Sequence, residues 1–255
     1  MINIPDSVTI SRKKEREQEL YDVTRGWLEK EERSPGIHAS SLLDPMKGYW
    51  DARNPGPLPN RLVTMFMVGK VLHAFILGAH AGLSGADMAA LASDSGSSDS
   101  GLGYVYSPDL VHEGMVREVK TSRSFYEPKD LEDVGMYVEQ LLTYMVPTNT
   151  LESELWVLYL NLKDENGKTS PAFRCYSVRI SQADLDRVKA VLTETTAQLS
   201  RALATSDPSA LPLCREWKCG ASNCEHYDLC QPKGRYGTEQ FDLGVRPRAK
   251  KSKAK

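Results

Sequence analysis

The stretch YVYSPDLVHEGMVREVKTS, Tyr104–Ser122, decides how the rest of the chain is read. Two runs of strand-forming residues flank the turn signal Glu113-Gly114, which predicts a β-hairpin with Asp109 on its first run and Glu118 and Lys120 on its second. Side chains alternate along a strand, so Val116, Glu118 and Lys120 share one side while Arg117 and Val119 take the other. An aspartate facing a glutamate and a lysine has a definite chemical use. Hard carboxylate oxygens hold Mg²⁺ or Mn²⁺, and such an ion polarises a phosphodiester and lowers the pKa of a bound water. The lysine adds positive charge beside the attacking water or the charge that develops on phosphorus. An exposed hairpin face with an ordinary Glu-Lys pair accounts for the same residues, and the neighbouring segments have to decide between the two.

Composition narrows the class. The chain has 255 residues, 40% of them hydrophobic and 26% charged, as in a soluble globular protein long enough to bury a sizeable core. A net charge of -2 argues against a wholly basic nucleic-acid coat, so any nucleic-acid site is a local patch. No long uncharged apolar run and no apolar leader are evident, which points to the cytoplasm and away from a membrane. Four of the five cysteines fall between Cys214 and Cys230, a pattern of metal or cluster ligation in a reducing compartment more than of disulfides.

Outward from the hairpin, helical and strand periods alternate. Ser11 to Arg33 suits an amphipathic helix with Leu20, Tyr21, Val23, Trp27 and Leu28 on its apolar side. Ser40 or Ser41 can cap a short helix that Pro45 interrupts, and the run from Asn54 to Pro59 is a loop. From Arg61 to His80 the pattern is strongly helical. There Gly69 and His73 share a face: the glycine allows another backbone to approach, and the imidazole is either a hydrogen-bonded core group or a metal ligand. Ala86 to Ala92 suits a short helix, and Ser93 to Gly101 reads as a flexible loop. Leu131 to Met145 is a helix stopped by Pro147, with Gln140 and Tyr144 on one face. Glu154–Leu162 and Ala172–Arg179 are strands around an Asn166-Gly167 turn. Gly167-Lys168-Thr169 resembles the end of a phosphate-binding loop, but Leu162 stands where that motif needs its first glycine and no helix follows. Ser181 caps a long helix to Ala204, and Arg246–Lys255 is a basic tail suited to phosphate contact or to plain solubility.

Gly69-x-x-x-His73, then Asp109, then Glu118-Val119-Lys120, then Gln140-x-x-x-Tyr144 resembles in its order the PD-(D/E)XK nuclease superfamily. More narrowly it resembles the RecB-like exonucleases, including the CRISPR-associated RecB-like enzymes and their phage relatives. The resemblance implies an α/β fold with a restriction-endonuclease-like core, in which helices flank a mixed central sheet made from the hairpin and the two later strands. It divides the chain into an N-terminal helical segment and loop (1–60), the nuclease core (61–212), a cysteine clip (213–232) and the basic tail (233–255). It implies His73, Asp109, Glu118 and the Val119 carbonyl as ligands of Mn²⁺ or Mg²⁺, with Lys120 positioning the water. Gln140 and Tyr144 would line the site and hold Lys120, the water or a phosphate. The implied activity is hydrolysis of DNA from a single-stranded end, in recombination, repair or CRISPR-type and phage DNA processing, with a recombination or CRISPR-adaptation protein as partner. A non-catalytic DNA-binding subunit and a sequence-specific endonuclease stay open as alternatives.

Trp217-Lys218-Cys219, Cys224 and Cys230 resemble the cysteine clip of the iron-sulfur members of that group, which hold a 4Fe-4S cluster. Those relatives carry a further cysteine near the N-terminus, where this chain has Asp44-Pro45. Cys214 can supply the missing thiolate in a C-x4-C-x4-C-x5-C run. Four thiolates equally suit a structural Zn²⁺. Cys175 reads as a buried strand residue.

Overall fold

A computed structural model describes residues 14–29, 34–80, 82, 97–112, 114–128, 131–214, 219 and 224–230. The helix expected at Ala86–Ala92, the Trp217-Lys218 pair and the basic tail lie outside the described residues. The elements in chain order are α1 (Lys14–Glu29), β1 (Ile37–His38), α2 (Ala39–Leu42), α3 (Pro45–Arg53), α4 (Asn60–His80), β2 (Ser98–Asp99) and β3 (Tyr104–Tyr106). They continue with β4 (Leu110–His112), β5 (Met115–Ser122), α5 (Leu131–Thr148), β6 (Glu152–Lys163), β7 (Thr169–Arg179), α6 (Gln182–Thr205) and α7 (Tyr227–Cys230).

The central sheet has the order β4-β5-β6-β7 and is mixed: β4 and β5 are antiparallel, β5 and β6 parallel, β6 and β7 antiparallel. Each connection follows from local chemistry. Gly114 lies in the β4–β5 turn at φ +75°, a conformation that favours glycine. Parallel β5 and β6 cannot be joined by a tight turn, and α5 makes the crossover, packing on both strands. Between β6 and β7 the Asp164 carboxylate accepts the amides of Asn166 at 2.9 Å and Lys168 at 2.8 Å. On β7, Ala172, Tyr176 and Val178 pack toward the core, so residues of the other parity face outward. Cys175 is one of those and is exposed, contrary to its expected burial.

α6 opens at Ser181, whose hydroxyl accepts the Asp184 amide, and it buries Leu185, Val188, Leu192, Leu199 and Ala202. This stripe belongs to one core with Leu42 and Met46 of the N-terminal segment, Leu141 and Met145 of α5, and Leu155 and Val157 of β6. Pro45 starts α3 instead of breaking a helix, because the amide that proline lacks has no intrahelical partner in the first turn. The close approach of α2 and α3 depends on Gly48, where an added Cβ would come within 2.7 Å of the Ser41 Cβ.

Several expectations change. Tyr104–Tyr106, expected in the hairpin's first run, pairs with β1 and β2 in a separate three-stranded sheet of order β1-β3-β2. Ser98-Asp99, expected as flexible loop, is an edge strand of that sheet. The chain passes from one sheet to the other at Ser107-Pro108, and Asp109 stands just before β4 instead of within a long strand. Pro147 does not stop α5, which runs to Thr148. A proline there removes the amide that would bond the Thr143 carbonyl, and the buried Tyr104 hydroxyl donates to that carbonyl instead, at 2.8 Å. Open space surrounds Gly69, so no second backbone approaches it among the described residues. Leu20, Val23 and Trp27 of α1, expected on a packed apolar side, are exposed.

Helix α4 packs on α1 and on β5. Arg61 and Lys70 interrupt its apolar run, yet Asn60–Ala79, with mean hydropathy 1.8, is long and apolar enough to cross a membrane by length and composition.

Candidate metal centre and cysteine pocket

The hairpin register carries the site. Leu110 pairs with Arg117, and the next position outward sets Asp109 opposite Glu118. Asp109 Oδ2 accepts the Val119 amide at 2.6 Å, which fixes the carboxylate against β5. Its other oxygen lies 3.4 Å from His73 Nε2, brought in by α4. Lys120 Nζ donates to Glu118 Oε1. An imidazole, two carboxylates and an ammonium group from three separate segments thus meet in one place.

Glu118 is fully buried, and its second oxygen, Oε2, has no hydrogen-bond partner among the described residues. Burial, with the Asp109 charge beside it and in spite of Lys120, pushes the Glu118 carboxyl up to about 8. Burial raises Asp109 as well, against the pull of Lys120, of the Val119 amide and of a hydrogen bond with the Glu118 carboxyl. Burial works against the Lys120 ammonium too, but the Glu118 and Asp109 charges outweigh it and hold its pKa above the ordinary value. Burial lowers His73 despite Glu118, which keeps the imidazole neutral and its lone pair available. The pocket holds more acidic oxygens than its own cation and hydrogen bonds satisfy, the kind of deficit a divalent cation fills, although His73, Asp109 and Glu118 do not all set ligand atoms within 4.8 Å of one another in the folded chain as it stands.

Gln140 and Tyr144 arrive from α5. Gln140 Nε2 donates to the Tyr144 oxygen at 2.8 Å, so the two hold each other and not Lys120. Burial, then the Glu118 charge, raises Tyr144, which keeps it a protonated hydroxyl beside the carboxylates. Tyr137 of the same helix also interacts electrostatically with Lys120. Its spacing to Gln140 and Tyr144, three and then four residues, is the signal that could have placed it on the site face.

The four clustered cysteines border one cavity, but no three of them set sulfurs within 4.8 Å of one another. Cys214, Cys219, Cys224 and Cys230 line one small cavity with Met46, Lys47 and Trp50 of α3 and with His226 and Tyr227. The cavity joins α3 to the C-terminal segment as a clip would. Burial, with Asp44 nearby, pushes the Cys214 thiol up to about 12 although the Lys47 amide donates to its sulfur. Burial likewise raises Cys224, whose sulfur accepts the His226 amide. Soft sulfurs around one cavity, two of them receiving amide hydrogen bonds, are the donor type that a thiolate-bound metal takes.

Beside the cavity, Asp51, Glu225 and His226 set ligand atoms within 4.8 Å of one another, a group that sequence reasoning missed. Lys47 Nζ bridges its carboxylates, at 2.7 Å from Asp51 Oδ1 and 2.8 Å from Glu225 Oε1. The 175-residue separation of Asp51 and His226 leaves no local pattern to find.

No family model matches the chain. No curated protein matches it. Among solved structures, "Crystal structure of SSO0001" is similar, with 16% sequence identity and a TM-score of 0.47 over 85% of this chain and 96% of that one. A likeness at that level assigns neither family nor activity.

Proposed function

We propose that the chain is a metal-dependent DNA nuclease of the PD-(D/E)XK, RecB-like kind, acting in the cytoplasm on DNA with a single-stranded end. The observation that carries this is the buried meeting of His73, Asp109, Glu118 and Lys120, with Glu118 Oε2 unpartnered among the described residues. His73, both carboxylates and the Val119 carbonyl would hold Mn²⁺ or Mg²⁺. When bound, the ion supplies Lewis acidity at the phosphodiester and a more acidic water.

The chain's own residues do the rest. Asp109 is fixed by the Val119 amide, so its other oxygen stays aimed at His73. Lys120, kept cationic by the two carboxylates, stabilises negative charge on the phosphoryl oxygens as water adds and the bond to the leaving oxygen breaks. Tyr144, accepting from Gln140, keeps its own proton free to donate to a phosphate oxygen. Just after β5, exposed Phe125 and Tyr126 stand with Lys163 Nζ 5.3 Å from each ring centroid. Aromatic faces beside a cation suit stacked, unpaired bases, which supports a single-stranded end as substrate.

The four-cysteine cavity supports a cysteine-ligated centre, a 4Fe-4S cluster or in its place a structural Zn²⁺, fastening the C-terminal segment. Elemental analysis of anaerobically purified protein decides between iron and zinc. For the hydrolytic reading the test is Lys120→Ala on the full chain with end-labelled DNA and Mn²⁺. The expected result is a fall in turnover of about 10²–10³-fold. Undiminished turnover overturns the assignment, and DNA shifted but not shortened by the wild-type chain replaces it with a binding subunit.

A further inference from the structure

His226 is buried, at 4% exposure, and takes no part in the hydrolytic site. The residue is part of the cysteine cavity's lining. Nε2 lies 2.8 Å from Asp51 Oδ1, whereas Nδ1 is sealed from solvent with no hydrogen-bond partner among the described residues. A carboxylate against one ring nitrogen selects the tautomer: in the neutral ring the proton sits on Nε2 and is donated to Asp51, which leaves the lone pair on Nδ1. A sealed lone pair with nothing to accept loses its hydration without return.

The Asp51 side of the ring is already served. Lys47 bridges Asp51 and Glu225, so an ammonium group stands between the carboxylates where a cation held by Asp51, Glu225 and His226 would have to sit. What remains is Nδ1, on a residue that lines the same cavity as the four cysteines; no set of three donors that includes a cysteine lies within 4.8 Å among the described residues, a spacing wider than a single tetrahedral zinc takes. A carboxylate holding one nitrogen of an imidazole while the other binds metal is a recurrent arrangement, because the carboxylate orients the ring and raises its basicity. The His226 amide also donates to Cys224, which ties the imidazole to a thiol on the cavity wall.

We propose that His226 Nδ1 is a ligand of the metal at the cysteine cavity, with Asp51 as its positioning residue. The proposal rests on the cavity being a metal centre and is independent of the nuclease reading. Four sulfurs and one nitrogen exceed by one the four protein donors that a cubane cluster or a tetrahedral zinc takes, so one cysteine stands outside the ligand set.

The test uses the full chain, purified anaerobically, with metal-to-protein ratios measured for His226→Ala and for each of Cys214, Cys219, Cys224 and Cys230 changed to serine. His226→Ala and three of the serine variants should lose the metal, while the fourth keeps it. Because His226→Ala can fail to fold, a second measurement uses unmutated protein grown with ¹⁵N-histidine. Pulsed electron paramagnetic resonance of the reduced iron protein, or X-ray absorption of the zinc protein, should show a directly bound nitrogen. Asp51→Asn should weaken metal affinity about 10–100-fold. All-sulfur ligation in unmutated protein, or loss of metal from every serine variant with full retention in His226→Ala, overturns the proposal but leaves the cysteine centre standing. Wild-type protein that binds neither iron nor zinc overturns both.

Discussion

Glu118→Gln should make the protein's thermal stability insensitive to Mn²⁺. The side chain is fully buried, with one oxygen on Lys120 and the other unpartnered among the described residues, so glutamine fills the same volume while removing the carboxyl group whose proton the ion would displace. An ion present at about a hundred times its Kd stabilises the folded chain by about 2.7 kcal/mol. For a chain of this length that is a rise in Tm of about 5–11 °C. If the substitution weakens binding about a hundredfold, the same Mn²⁺ concentration adds about 0.4 kcal/mol, or about 1–2 °C. The metal-free proteins should differ in their pH dependence as well. An unfolded glutamate releases its proton near 4.5, whereas folded, metal-free Glu118 keeps it up to about 8. Folding therefore takes up a proton between those values, and metal-free wild-type stability falls as pH rises through that window. In Glu118→Gln that contribution is absent. Melting curves across the same pH window, with chelator or with Mn²⁺, measure both effects. An equal Mn²⁺-induced rise in the variant and the wild type would rule out Glu118 as a ligand of the ion.

Other consequences are as specific. Tyr104→Phe strands the Thr143 carbonyl beside Pro147 and should destabilise the fold by about 1–3 kcal/mol, read by denaturant titration; an unchanged midpoint removes that account of how α5 tolerates proline. Phe125→Ala and Tyr126→Ala should each weaken binding of single-stranded DNA by about 1–3 kcal/mol in fluorescence anisotropy, with little change in stability because both rings are exposed. Equal affinity in both variants would take the aromatic pair out of the substrate path.

Much of the sheet is legible in the sequence because its signals are local. Alternation marks β5, β6 and β7, the Asn166-Gly167 turn joins two of them, and the three-and-four spacing marks α4, α5 and α6. Where a partner is distant, the sequence is silent or misleading. Tyr104–Tyr106 has the composition of a hairpin strand, but β1, from far earlier in the chain, claims it. Pro147 reads as a stop because its consequence depends on Tyr104, which only folding brings near. The residues of the carboxylate pocket announce themselves through motif order, while their burial, which sets Glu118's proton affinity, does not. Asp51 and His226 carry no motif at all, and only the packing of α3 on the C-terminal segment joins them.

Whether His73, Asp109 and Glu118 grip a divalent ion is read by anomalous X-ray diffraction from crystals of the full chain grown with Mn²⁺. The expected map has a manganese peak bounded by His73 Nε2, Asp109 Oδ1 and Glu118 Oε2, lost in Glu118→Gln. A featureless map at those three atoms, or a peak only at Asp51 and Glu225, would contradict it.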